Sequence, residues 1–509
     1  VLSRRGKKNT AREDQVILNR KAREVYEMLT PKDIVSRYEW LFKQAWVDFS
    51  ADELEGNLDF EARSKHIEKL RKEAITHIVS ESGIWGIFKL AEKGSAQYQI
   101  GMCVVPDVLD DQQIEDMILL TIQSDQKNSK AEGVLCGVLL KLTVAEWEKI
   151  YLKLRAKMSE KNALYFLSLS PYRALTWQYV DLLSDEAIAD YWDKVVPQYV
   201  YDAVDENNES IRRLLAVKRP RAAFNSVHFD LGKIQPFLLI QMLKGVLEGS
   251  NERSGEYQLD EYYIKEAFKL LADNQDITLE EKAVLEFGYL DILGRLHRSE
   301  TESQIPNLEC YIEENPNVYV QAIAWTYRRK DSDDDPEEYK ITNKPEDWAH
   351  RGYRLLEALS NIPGQKLETK DVQREKLSEW ISTVRKLCTE LSRLDVGDIC
   401  LGKLLSHASV GDDGVWPNEV VRDVMEEIMS ENIADGARTG IYNSRGVHTR
   451  SEGGSQEREL ADKYRSWAGA LQFTHPFVAN NLLMSIARIY ESEAQQNDVE
   501  AGVRRRLRH

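Results

Sequence analysis

Three observations predict an all-α fold arranged as an α-solenoid, a helical-repeat array with short loops. Apolar residues recur at spacings of three and four in four separate windows, no sustained period-two run interrupts them, and prolines stand where helices start or cannot continue. The chain has 509 residues, about three domain lengths, which suits several units or one elongated array better than a single core. Hydrophobic residues at 42%, charged residues at 30% and 27 glycines exclude a disordered, collagenous or membrane-embedded chain.

Thr30-Pro31-Lys32-Asp33 is the first helix-start signal. Between 60 and 80, Ile67, Leu70, Ala74, Ile75, Ile78 and Val79 form one stripe with Lys, Arg and Glu between them, an amphipathic helix. Tyr98–Val105 is the best candidate for a strand, with a buried connector as the alternative. Ser170-Pro171 opens the next helical stretch. Tyr172–Val180 and Pro220–His228 echo one another, their Arg-Ala pairs 48 residues apart, a period that fits a two-helix repeat and that chance similarity between helix starts also produces. Pro236 opens the apolar helix Phe237–Leu247. The helical period returns at 281–296 (Ala283, Val284, Phe287, Leu290, Leu293), at 418–430 (Val420, Val421, Val424, Met425, Ile428) and at 478–494 (Val478, Leu482, Leu483, Ile486, Tyr490, Ala494). Asn361-Ile362-Pro363-Gly364 and Thr474-His475-Pro476 punctuate the second half. The polar run Arg328–Glu346 marks the main boundary. We therefore expect an N-terminal helical array over 1–330, an acidic surface loop at 331–346, and a C-terminal helical region over 347–509. The latter contains an irregular Gly/Arg loop at 434–456.

Asp plus Glu total 85 and Lys plus Arg 68, a net charge of −17 that repels a phosphate backbone. Nucleic acid is thus a disfavoured partner. The five cysteines are odd in number, far apart and mostly in apolar surroundings, as reduced core thiols of a cytoplasmic protein are. No window approaches a membrane span, and the polar N-terminus lacks the apolar core of a signal peptide. The start at Val1 suggests a piece of a longer chain.

Catalytic motifs fail inspection. Gly397-Asp-Ile-Cys-Leu-Gly402-Lys403 has part of the spacing of a phosphate-binding loop, but Leu404 stands where Ser or Thr should hold magnesium. Leu401, Leu404 and Leu405 continue a helical face instead. The acidic cluster at 331–338 lacks the glycine and terminal Glu of a calcium loop. Nine histidines show no His-Glu-x-x-His, no Cys-x-x-Cys exists, and no Gly-x-Ser-x-Gly elbow is present. We expect no catalytic residue, no metal ligand and no cofactor in this chain.

Binding residues are sought in the irregular C-terminal stretch, where long loops carry function. Trp416, Arg438, Asn443, Arg445 and Arg450 are the candidates, because arginines and aromatic residues dominate protein contact sites. A second patch comprises Arg212, Arg213 and Arg221, within a basic cluster that also holds Lys218 and Arg219. Two further clusters (Arg4, Arg5, Lys7, Lys8; Arg504, Arg505, Arg506, Arg508) lie at the chain ends and read as solvated tails.

Asn307–Pro316, Trp416–Val424, Asn443-Ser444-Arg445-Gly446 and Gly453–Glu457, followed by Tyr464 and Trp467, together resemble the C-terminal helical region of very large bacterial STAND (NACHT-type) ATPases of antiphage defence, the Avs-like group. The similarity covers residues 280–505, the first half matching in helical character alone. The family pattern implies an N-terminal effector, a central P-loop ATPase and a C-terminal solenoid that senses a phage protein, such as a structural or packaging protein. This chain carries neither of the first two, so the resemblance transfers no catalytic or ATP-site residue to it. It implies a protein-sensing region with no chemistry of its own, and oligomerisation through regions elsewhere in a longer chain. Three other readings stay open: a nucleic-acid-binding helical module using the middle basic patch, an enzyme assembled from distant residues, and an architectural protein of a host complex.

Overall fold

The structure is a computed structural model that describes residues 20–507, apart from 22–23, 26, 48–59, 125–126, 254, 273, 294–302, 304, 332, 341–344, 367–370 and 446–452. The chain is an all-α helical-repeat array. Among the described residues the nearest approach to β structure is one antiparallel bridge between Gln365 and Val372. Most helices pack on the next helix or the next but one, the pattern expected when each must bury one apolar stripe on its neighbours. Two compact units result, one comprising Val1–Val227 and Gly249–Tyr257, the other His228–Glu248 and Gln258–His509.

After a short helix at Ile34–Tyr38, the first unit contains α1 (Phe60–Lys93), α2 (Gln97–Val104), α3 (Asp111–Ile122), α4 (Ser129–Lys141), α5 (Val144–Arg155), α6 (Glu160–Leu169), α7 (Ala174–Val180), α8 (Asp185–Lys194), α9 (Val204–Ala216) and α10 (Pro220–Val227). The amphipathic stripe at 60–80 lies in α1, where Ile75 and Ile78 are fully buried. Gly83 then breaks the helical path at φ 57°, a conformation glycine adopts without penalty. Helix starts are locally encoded: Asp110 with Gln113 and Thr143 with Glu146 form reciprocal capping boxes at α3 and α5.

Tyr98–Val104 is helical, and Val105 alone is extended, as the C-cap. The reason is tertiary: Gly101 on α2 meets Gly137 on α4 so closely that a Cβ on Gly101 would lie 2.0 Å from Val134 O, and one on Gly137 2.2 Å from Tyr98 O. A short apolar run does not distinguish a buried strand from a helix pressed against another backbone.

The second unit contains α11 (Pro236–Glu248), α12 (Glu261–Ala272), α13 (Leu279–Gly288), α14 (Pro306–Glu314), α15 (Pro316–Thr326), α16 (Pro345–Ala358), α17 (Arg374–Glu390), α18 (Leu394–Leu405), α19 (Glu419–Ile428), α20 (Glu431–Ser444), α21 (Ser455–Leu471) and α22 (Met484–Leu507). The glycine crossing recurs here with the same register. A Cβ on Gly402 of α18 would lie 2.0 Å from Ile433 O, and one on Gly436 of α20 2.1 Å from Ile399 O. Residues 434–444, expected to be irregular, are therefore helix, with Gly436 serving interhelical contact. The near-miss phosphate loop lies within α18, and Gly397 abuts the buried Cys388. The 281–296 period is interrupted at Tyr289, between α13 and the single turn Leu290–Leu293. All six stripe residues predicted at 478–494 are buried at 3% exposure or less, across a π-helical turn Val478–Leu483 and into α22.

A second repeated device is the long-range carboxylate cap. The first backbone N–H groups of a helix lack intrahelical partners, and here carboxylates distant in sequence accept from them. Glu206 accepts from Ala174 N at 2.7 Å, and Glu252 from Arg221 N and Ala222 N at 3.2 and 2.6 Å. The Arg-Ala echo thus marks equivalent helix starts. In the second unit Glu286 accepts from Asn307 N and Leu308 N, and Glu426 from Phe477 N and Val478 N, while Glu309 pins the turn after α16 by accepting from Ser360 N and Asn361 N, all at 2.7 to 3.3 Å.

Candidate recognition surfaces

The C-terminal candidates divide between core and surface. Trp416 is 5% exposed, donates from its indole N–H to Ala408 O at 2.9 Å and meets Tyr464 edge-on. It is a core residue of the second unit, and the expectation that it contacts a partner is corrected on that ground. Arg445, the C-cap of α20, is paired with Glu457 at 3.1 Å and lies over the Tyr490 ring at 5.5 Å. Burial alone would raise the Glu457 carboxyl; backbone hydrogen bonding and Arg445 outweigh it and hold the group below its ordinary value. Arg445 therefore pins α20 to α21 and α22. Arg438, paired with Asp435 at 2.9 Å, and the exposed Asn443 stand on the outer side of α20. Arg450 lies outside the described residues.

The segments from Trp416 onward that carry the family resemblance pack largely on one another. Tyr464 touches Trp416, Trp467 and Tyr490, and Trp467 donates to Gly414 O at 2.9 Å. Gly454, whose Cβ would collide with Ala494 O at 2.2 Å, lets the start of α21 sit directly on α22. Pro306 and Pro316 open α14 and α15.

The middle basic cluster is largely committed to the first unit. Arg213 forks Asp181 at 2.6 and 2.9 Å and also binds Glu209 at 2.7 Å, with its guanidinium 5.4 Å above Trp192. Arg212 is exposed beside the same Glu209. Arg219 is 3% exposed, donating to Trp192 O, Val195 O and Tyr257 OH. Arg221 is half-buried, its backbone N–H taken by Glu252. Three of these arginines thus face carboxylates or carbonyls of their own unit. Of the terminal clusters, the first lies outside the described residues, and Arg504 and Arg506 are exposed on α22.

Sequence reasoning missed exposed aromatic residues of the second unit, two of which join in one cluster. Phe229 is 72% exposed, Phe237 65% and Tyr262 63%. Phe229 and Tyr262 both meet Tyr263 edge-on, with centroids 6.1 and 5.2 Å apart, and His228 lies 4.4 Å from the same ring. The signal was present in the helical wheel of 237–247. Leu238, Leu239, Met242 and Leu243 form its buried stripe, which leaves Phe237 on the outside. Rings in water cost hydrophobic free energy that a covering surface recovers, about 1.5 to 3 kcal/mol for each large side chain.

Burial raises the thiols Cys103 to about 11, Cys388 to about 12 and Cys400 to about 11, leaving them un-ionised and inert as nucleophiles at neutral pH. All five cysteines are free thiols. No described helix is long and apolar enough to cross a membrane. No family model, no curated protein and no solved structure matches this chain.

Proposed function

We propose that the chain is a protein-recognition array, the sensor-like region of a larger bacterial antiphage ATPase of the STAND type, and that it binds a phage protein. The observation that carries the recognition reading is the pair Phe229 and Tyr262, 72% and 63% exposed, which share the Tyr263 ring and stand as a joined aromatic group in solvent. Aromatic anchors on rigid helices lose little entropy on binding and dominate contact energies. The phage partner and the parent ATPase rest on the sequence resemblance. A partner that binds one conformer of such an array shifts the whole population toward it, which is how sensing reaches distant regions of a longer chain. The committed arginines of the middle cluster and the net charge of −17 weigh against nucleic acid.

The test is affinity capture from phage-infected and uninfected bacterial lysates, with and without nuclease, using the wild-type chain and a Phe229→Ser/Tyr262→Ser variant. The reading expects one infection-specific, nuclease-resistant phage protein that the variant fails to retain. Equal capture from both lysates removes the phage partner. Retention by the variant moves recognition off the aromatic surface.

A further inference from the structure

Within the first unit, α6 and α8, together with Val217 and Asn251, line an open groove of about 690 Å³. That volume lies in the range of ligand and peptide sites. Its apolar side is formed by Leu164, Ala187 and Val217. Glu160 closes one end by accepting from Ser184 N at 2.8 Å and Ser184 Oγ at 3.1 Å, which ties the N-cap of α8 to the start of α6. Along α8, Glu186, Asp190 and Asp193 follow at spacings of four and three, a single stripe about 10 Å long at 1.5 Å rise per residue. Like charges at these spacings repel, and the buried face of the helix, Ala187, Tyr191 and Trp192, does not require them. Asp190 has a helix-mate in Lys194. Glu186 and Asp193 have no ion pair among the described residues, and Lys161 is the cation among the lining side chains.

We propose that this groove docks a basic amphipathic segment of a partner protein, with Lys or Arg side chains along the Glu186, Asp190 and Asp193 stripe and an apolar side chain against Leu164, Ala187 and Val217. The proposal rests on the reading of the chain as a protein-binding array and gives one of its surfaces a chemistry. Charge complementarity selects a cation, and the apolar side selects a protein segment over a simple polycation. An open trough with a stripe of that length accommodates two turns of a helix.

The experiment is fluorescence anisotropy of the full chain with a labelled 14-residue helical peptide bearing Lys at i, i+4 and i+7 and Leu on the adjoining face. Affinity is expected to fall at least tenfold in Glu186→Lys/Asp193→Lys, and to fall also in Leu164→Asp, which leaves the carboxylates in place. If charge reversal disturbs the circular dichroism spectrum, Glu186→Gln/Asp193→Asn replaces it, with a smaller loss expected. Unchanged affinity in the folded variants overturns the proposal, as does displacement of the peptide by spermine at equal charge concentration, which would make the surface a plain cation attractor. A partner found by lysate capture that binds Glu186→Lys/Asp193→Lys as tightly as wild type also overturns it, while leaving protein recognition standing. Peptide binding that follows the variants, together with equal capture from both lysates, supports the groove and removes the phage reading alone.

Discussion

The glycine crossing of α18 on α20 makes a sharp claim about a single methyl group. In Gly402→Ala the new Cβ would stand 2.0 Å from Ile433 O and 2.7 Å from Ala437 N, both backbone atoms that cannot rotate away. Carbon and carbonyl oxygen approach to about 3.3 Å at closest, so the two helices must separate by roughly 1 Å. Overpacking of this kind costs about 1 to 3 kcal/mol. The separation also loosens Leu401, Leu405, Ile433 and Ala437, all 2% exposed or less, and a gap of 0.5 to 1 Å forfeits a quarter to a half of each contact. A total near ~3 kcal/mol follows, at the upper end of the overpacking range. Gly469→Ala is the control: it lies inside α21 with nothing within 4 Å of its Cβ, and there alanine should stabilise by about 0.5 to 1 kcal/mol. Urea unfolding followed by circular dichroism should move the two midpoints in opposite directions. If Gly402→Ala unfolds at or above the wild-type midpoint, the crossing is not what holds α18 to α20.

Glu286 should tie stability to pH. It is 1% exposed, and burial pushes its carboxyl up to about 7 despite the Asn307 and Leu308 donors that favour the anion. Its ordinary value is 4.5, so between these limits the unfolded chain holds fewer protons and stability falls as pH rises, by ~3 kcal/mol over the whole window. Glu286→Gln should gain on wild type between pH 5 and 8 in urea midpoints, and parallel pH profiles would refute the assignment. Arg393 is 3% exposed and binds Asp335 with both terminal nitrogens, at 2.6 and 2.8 Å, while its Nε donates to Tyr327 O at 2.8 Å. Arg393→Ala should cost about 3 to 5 kcal/mol by stranding these acceptors, read as a lowered thermal midpoint. A loss below 1 kcal/mol would show that the acidic run at 331–338 does not depend on it.

Legibility in the sequence followed the range of the forces involved. The stripe at 478–494 was readable because one face of one helix meets one core, and periodicity reports that directly. The failures at Tyr98–Val105 and at 434–444 share one cause. Glycines read as loop residues when taken locally, yet Gly101 and Gly436 are there because another backbone lies about 2 Å from where their Cβ would be. The Arg-Ala echo at 173 and 221 was visible, but its meaning required Glu206 and Glu252, each about 30 residues downstream. Among site residues, Trp416 and Arg445 drew notice by type, and their partners Tyr464, Glu457 and Tyr490 are set by tertiary packing. Phe237 was missed although its place off the apolar stripe could be computed from spacing alone.

The segment Gly249–Tyr257 belongs to the first unit although it follows α11 of the second. It earns that membership through Glu252 on the start of α10, Asn251 N on Lys218 O at 3.0 Å, and Tyr257 OH under Arg219 at 3.0 Å. The polypeptide therefore passes between the units three times, and no single cut separates them. Cutting after Val227 strips the first unit of its Glu252 cap and leaves Arg219, 3% exposed, without its tyrosine partner. A fragment so made that fails to bind would report damage to its own fold, not the address of a binding site. Nested C-terminal deletions are consequently the wrong instrument for mapping partners on this chain; point substitutions, or a splice that joins Val227 to Gly249 through a short linker, keep the strap in place.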